Sequence, residues 1–196
     1  MRRNLLVIIF MLIGIQVYSL TPLPNNYMEK EDGIYYLDQK TQIDQKTFEL
    51  LPSGRFEYAK DKNNVYYKGI KMPGADPATI EGMGLFAKDK NSVYYKGNQI
   101  KDADPSTIKV SGLYSKDKNN VYFEDIKIIG VDKETFEVFS YDYEAMIPQT
   151  GYAYFAKDSN NVYCGREIIE SADLKTFKVT DYDDATDKNK SYKCVI

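Results

Sequence analysis

The chain has 196 residues, a formal net charge of −3, no Trp, no His and 18 Tyr. That length suits one ordinary domain or one repeat array. The mild acidic balance argues against nucleic acid as a partner, because phosphate binding needs clustered Lys and Arg. The absence of His removes imidazole bases and most transition-metal sites.

Residues 1–19 read as a signal peptide. Arg2 and Arg3 form a basic start, an apolar run extends from Leu5 to Val17, and small or polar residues end at Ser19, where cleavage is expected. The apolar run is shorter than the roughly 20 residues a spanning helix needs, so no membrane span is expected after cleavage. The expectation is an exported chain, periplasmic or extracellular. In an oxidising compartment the two cysteines, Cys164 and Cys194, can pair.

Beyond the leader the chain repeats. Asp61, Asp89, Asp117 and Asp158 open closely similar phrases, "DKNNVYYKG" being the first, and are separated by 28, 28 and 41 residues. The longer interval contains an insertion at 140–152, "SYDYEAMIPQTGY". Val65, Val93, Val121 and Val162 follow the aspartates by four, and Tyr66, Tyr94, Tyr122 and Tyr163 by five. A second aspartate comes fifteen after the first in each copy (Asp76, Asp104, Asp132, Asp173), with Thr79, Thr107, Thr135 and Thr176 three further on. The segments divide as a degenerate N-terminal repeat at 20–57, repeats at 58–86 and 87–114, a repeat with the insertion at 115–153, and a C-terminal repeat with a degenerate cap at 154–196. Atypical end copies are the norm in repeat arrays.

Each copy reads as short strands. "VYYKGNQI" at 93–100 is rich in β-branched and aromatic residues, and apolar residues alternate after Asp-x-x-Thr, as in Phe136 and Val138. Sustained helical periodicity is missing, and only the insertion is allowed an irregular, helix-like element. In Asp-Lys-Asn the aspartate can fold onto the backbone two residues on, and the first Asn of each copy (Asn63, Asn91, Asn119, Asn160) is assigned a left-handed conformation in a type I turn plus bulge. Asp76-Pro77 and Asp104-Pro105 suit a turn or a one-turn helix with Asp as N-cap. Strand alternation places Val65 with Tyr67, and its equivalents Tyr95, Phe123 and Cys164, on a core face. Tyr66, Tyr94, Tyr122 and Tyr163 would then form an outward ladder beside Lys68, Lys96, Glu124 and Gly165. The fold class is all-β, an open meander or solenoid-like array of about five units of about 28 residues, with a closed propeller-like ring as the alternative.

The phrase "DKNNVYYKG", its 28-residue recurrence and the Asp-x-x-Thr-Phe that follows resemble the DKNYY family of bacterial exported repeat proteins, from about residue 29 onward. The resemblance implies a bacterial, exported, β-rich chain and carries over neither an activity nor catalytic residues. This sequence departs from the pattern at Ser159, at Cys164 and in the insertion.

The candidate chemistry is sparse. Asp-Lys-Asn reads as a structural turn rather than a calcium loop, because Lys adds the wrong charge and the terminal bidentate Glu is missing. The acidic run Asp181, Asp183, Asp184 and Asp187 reads as a solvated loop rather than a cation site. The tyrosine ladder is the candidate ligand-binding surface, for a glycan or a partner's side chains, against a purely packing role. A Cys164–Cys194 disulfide is expected although strand alternation alone would put the two side chains on opposite faces. No cofactor or metal is expected, and no catalytic residue is named. The functional expectation is a non-catalytic binding, interaction or structural module of the bacterial envelope, its partner an unidentified envelope protein or glycan. The alternatives are a carbohydrate-binding protein using the tyrosine ladder, a carboxylate-based hydrolase with a non-repeated acid such as Glu144, and an immunity-type protein.

Overall fold

A computed structural model describes residues 26–52, 57–143 and 149–196. The expected signal peptide and Glu144 lie outside these residues. Six small antiparallel sheets follow one another along the chain, each a meander in which every strand pairs with its sequence neighbour. Sheet I holds β1 (Tyr27–Lys30), β2 (Gly33–Tyr36) and β3 (Gln39–Lys40). Sheet II holds β4 (Glu49–Leu50), β5 (Tyr58–Lys60), β6 (Val65–Tyr67) and β7 (Ile70–Lys71). Sheet III holds β8 (Glu81–Met83), β9 (Phe86–Lys88), β10 (Val93–Tyr95) and β11 (Asn98–Gln99). Sheet IV holds β12 (Lys109–Ser111), β13 (Tyr114–Lys116), β14 (Val121–Phe123) and β15 (Ile126–Lys127). Sheet V holds β16 (Glu137–Tyr143), β17 (Gln149–Lys157), β18 (Val162–Cys164) and β19 (Glu167–Ile168). Sheet VI holds β20 (Lys178–Val179), β21 (Asp184–Thr186) and β22 (Ser191–Lys193).

The array is open: among the described residues no strand pairing joins sheet VI to sheet I. The Asp-x-x-Thr segments are the links between sheets, and the first of them forms a 3-10 turn at Gln45–Thr47 with Asp44 as its N-cap. The structural unit is offset from the phrase by which it is recognised. Asp61-Lys62-Asn63 closes the hairpin between β5 and β6, in the middle of sheet II, so a segment edge at 86/87 falls at the start of β9.

Each four-stranded sheet uses two kinds of hairpin. The turn after Asp61 spans four residues, because Lys60 pairs with Val65. The next turn spans two, because Tyr67 pairs with Ile70. A two-residue connection of type I′ has both of its residues in the left-handed region, which matches strand twist. Lys68 (φ 50°) and Gly69 (φ 76°) supply this, as do Lys96 (φ 46°) and Gly97 (φ 83°). The left-handed residues therefore lie in the Lys-Gly turn and not at Asn63, Asn91, Asn119 and Asn160, none of which has positive φ. Asp61 holds its turn by side-chain hydrogen bonds instead, which removes the need for a strained Asn.

Successive sheets pack face on face. One core holds Leu51, Tyr58, Val65 and Met72 of sheet II and its flanking chain against Ala87 and Tyr94 of sheet III. The next holds Phe86, Val93 and Tyr95 of sheet III against Tyr122 of sheet IV. An inner sheet is thus covered on both faces, and its central strand is buried along its whole length: Val93, Tyr94 and Tyr95 are at most 3% exposed. The outward tyrosine ladder expected from strand alternation does not exist. Tyr66, Tyr94, Tyr122 and Tyr163 face the preceding sheet and are 1%, 3%, 0% and 0% exposed. Alternation predicts one wet face only where a sheet has one neighbour. Aromatic pairs on the other face repeat with the units: Tyr58–Tyr67, Phe86–Tyr95 and Tyr114–Phe123 all have ring centroids 4.9 Å apart.

Where the sequence allows a helix-like element, the described residues of the insertion, 140–143 and 149–152, lengthen two strands. β16 and β17 stay antiparallel from Glu137↔Lys157 to Tyr143↔Gln149, with a bulge between Val138 and Ser140.

Glycine at the two-residue turn is set by close approach as well as by φ. A Cβ on Gly97 would lie 2.8 Å from Tyr67 Cβ, whereas one on Gly84 (φ 74°) meets nothing within 4 Å. Urea unfolding of Gly97→Ala is expected to show a loss of roughly 2–3 kcal/mol, combining left-handed strain with the clash, against roughly 1 kcal/mol for Gly84→Ala.

Candidate functional site

The repeated polar residues meet at the junctions between sheets. In sheet III, Asp89 Oδ1 accepts the N–H groups of Asn91 and Ser92, both at 2.8 Å. Its Oδ2 accepts the Tyr94 hydroxyl at 2.9 Å and the N–H of Asp76, in the link from sheet II, also at 2.9 Å. A second strand of contacts runs alongside. Thr79 Oγ1 accepts the Lys90 N–H and donates to Asp76 Oδ2, and Lys90 Nζ lies 3.0 Å from that same oxygen. The phrase Asp-Lys-Asn and the Asp-x-x-Thr thirteen residues before it are therefore two halves of one clasp.

The clasp recurs five times. Asp61, Asp117, Asp158 and Asp187 accept the N–H of Asp44, Asp104, Asp132 and Asp173 at 3.1, 2.8, 2.9 and 2.7 Å. Tyr66, Tyr122, Tyr163 and Tyr192 donate to the same carboxylates. Where Lys is replaced, Ser159 Oγ takes over and donates to Asp132 Oδ2 at 3.0 Å. Asp61, Asp89, Asp117 and Asp158 are each 3% exposed. Burial alone would raise such carboxyls, but in Asp61 and Asp158 the hydrogen bonds from tyrosine, link and turn outweigh it and hold them below the usual carboxylate range. Burial, together with the neighbouring carboxylate, pushes the Tyr66, Tyr94, Tyr122 and Tyr163 hydroxyls up to about 12.

The candidate residues divide accordingly. The four tyrosines expected to meet a ligand are brought together with the four turn aspartates, and their hydroxyls are committed to the clasp. Of the acidic run, Asp187 serves the last clasp, and Asp183 and Asp184 both pair with Lys193 at 2.9 Å. Among the described residues no group of three or more acidic or sulfur side chains is arranged to hold a metal ion. Cys164 and Cys194 are joined by a disulfide. The opposite-face difficulty is resolved because Cys194 follows the last strand, at the place where other copies enter the Lys-Gly turn, and reaches back to the preceding sheet.

A second tie was not foreseen. Tyr58 Oη donates to the Leu85 carbonyl at 2.9 Å and accepts the Gly97 N–H at 3.1 Å, so it bridges sheets II and III. Tyr27 makes the same bridge to Glu57 and Gly69. The recurrence of an aromatic three residues before the clasp aspartate was the available signal. Among the described residues one buried side-chain polar atom, Ser115 Oγ, has no hydrogen-bond partner, and it stands where other copies carry Ala59, Ala87 and Ala156.

With the polar motif turned inward, the outer strands are what solvent meets. Ile70–Lys71, Asn98–Gln99, Ile126–Lys127 and Glu167–Ile168 are exposed pairs at equivalent places in sheets II to V; sheets II and IV carry the same Ile-Lys pair, and sheets III and V carry different ones.

The fold and its clasps define a β-sheet repeat protein whose recurring residues join unit to unit. The chain belongs to the DKNYY family, whose model matches residues 27–84 and 86–192. No curated protein and no solved structure matches it.

Two outcomes follow from the clasp. Asp89→Ala strands four donors and is expected to cost about 2–4 kcal/mol in urea unfolding, against about 1 kcal/mol for Tyr94→Phe, which removes one hydrogen bond. The pH dependence is two-sided. Carboxyls held low when folded add stability that is present above the unfolded value and is lost as pH falls below about 4. Tyrosines held high add stability that is complete below about pH 10 and is lost as pH rises toward their folded values. Thermal melts should show a plateau between these limits, and Tyr94→Phe should reduce the fall on the alkaline side.

Proposed function

We propose that the chain is an exported, non-catalytic interaction or structural module of a bacterial envelope. The observation that carries this reading is the division of labour just described. The repeated aspartates, tyrosines and threonines are consumed in joining sheets, and the exposed pairs on the outer strands are the regularly spaced residues left to meet a partner. A row of exposed pairs at equivalent positions of stacked sheets suits recognition of an extended protein surface, with the repeated Ile70 and Ile126 as apolar anchors. Ile70 is 74% exposed and Ile126 is 45% exposed, large values for isoleucine. Export is favoured by the basic start and apolar run of residues 1–19. No helix of the described residues is long and apolar enough to cross a membrane.

Cell fractionation of the tagged full-length chain is expected to place it outside the cytoplasm. Cross-linking in intact cells should then capture an envelope protein, and Ile70→Asp with Ile126→Asp should lower that capture roughly thirtyfold, since each removes an anchor worth about 1 kcal/mol, while the melting temperature stays within a few degrees. A cytoplasmic chain would overturn the export reading. Unchanged capture by the double variant would overturn the outer-strand reading, and turnover of a glycan or peptide panel by purified chain would overturn the non-catalytic one.

A further inference from the structure

The five junctions between sheets carry the same clasp but not the same second tie. At junctions I/II, II/III and IV/V the aromatic three residues before the clasp position is Tyr27, Tyr58 or Tyr114, and its hydroxyl bridges to the next sheet. At III/IV and V/VI that aromatic is Phe86 or Phe155, which has no hydroxyl to give. These two junctions are linked from another position, six residues after the clasp aspartate on one sheet to seven after it on the next. At III/IV the link is a hydrogen bond of 2.6 Å from the Tyr95 hydroxyl to Glu124 Oε1. At V/VI the link is the Cys164–Cys194 disulfide. The disulfide thus occupies a place that one other junction fills with a hydrogen bond and three replace with a tyrosyl bridge.

We infer that the disulfide is a redox latch: its reduction releases sheet VI while sheets I to V stay folded. Three features support release of this sheet alone. In a stacked array each unit is held by its neighbours only, and sheet VI has one neighbour among the described residues. Its clasp aspartate, Asp187, is half-buried, where Asp61, Asp89, Asp117 and Asp158 are buried. Its last strand, β22, buries little, since Ser191 and Lys193 are exposed. The latch is also reachable. Cys164 lines an open groove of about 540 Å³ together with Phe123, Gly165 and Lys193, while Cys194 is 2% exposed. A thiolate of an external dithiol would attack the Cys164 sulfur and expel Cys194 as its thiolate. The reductant's second thiol then displaces the Cys164 thiolate, and the two cysteine thiolates take up the protons released by the two reductant thiols. The protein disulfide gains two electrons and the dithiol is oxidised to a disulfide. Loss of sheet VI uncovers the apolar face of sheet V built from Ala153, Phe155 and Val162.

Hydrogen–deuterium exchange on the full-length chain, oxidised and then treated with dithiothreitol, tests this. Expected on reduction is at least roughly tenfold faster exchange in residues 178–194, with residues 58–127 unchanged. Unchanged exchange in 178–194 would overturn the latch, and so would loss of protection in all sheets together. Phe155→Tyr supplies a second readout. By equivalence with Tyr58, its hydroxyl meets the Asp183 carbonyl and the Val195 N–H, and it should slow exchange in the reduced sheet VI by roughly fivefold. Failure of that variant to protect the reduced chain, with its oxidised fold intact, would overturn the equivalence of the two ties. A Cys164→Ser, Cys194→Ser chain without reductant is expected to exchange as the reduced wild type does, and oxidised-like exchange would count against the latch.

Discussion

Everything in this fold depends on a buried carboxylate that accepts four hydrogen bonds. An ionised aspartate out of water is costly unless both oxygens are satisfied. Here one oxygen is filled from the turn that the aspartate itself closes. The other is filled by a tyrosine five residues on and by a backbone N–H from the link that enters the sheet. The same group therefore shapes a hairpin, orients an aromatic side chain and docks one sheet on the previous one. It cannot do one of these without the others, which is why spacing within the phrase is kept so strictly in all full copies.

That constraint also accounts for the composition. Each sheet is too small to be stable alone, having strands of two to four residues in most cases. Stability has to come from covering both faces, and tyrosine suits a strand that is buried on both sides yet must answer a carboxylate. Phenylalanine would fill the space and leave the carboxylate short of a donor. The exposed lysines of the clasp are ion-paired but solvated, so they refine the joint rather than hold it.

Much of this was legible in the residues. The recurrence, the β class, the open array, the turn role of Asp-Lys-Asn and the family were readable, because each rests on local chemistry or on spacing. The orientation of Tyr66 and its equivalents was not. Alternation along Val65-Tyr66-Tyr67 reports that neighbours point to opposite faces, and says nothing about whether the second face is covered. The pairing of Asp76 with Asp89 was likewise hidden. Its signal was visible only as two separate motifs, because the offset between them changes from 13 residues here to 17 for Asp44 and Asp61 and 26 for Asp132 and Asp158, and a link docking onto the following hairpin is a fact of topology. The left-handed residue was misplaced for a similar reason: Asn tolerates that conformation, but Lys68 and Lys96 are forced into it by a two-residue connection.

The insertion shows how such an array can change without being redesigned. The added residues lie in the first hairpin of sheet V, between the link that carries Asp132 and the turn that carries Asp158. The hydrogen bond between these two halves nonetheless measures 2.9 Å, the same as that between Asp76 and Asp89, which has no insertion between its halves. Lengthening a hairpin whose base is already fastened costs only a slowly growing loop entropy. The first hairpin of each of sheets II to VI is therefore a free port between fastened joints. New sequence can be tried there, copy by copy, while the joints on either side stay in register.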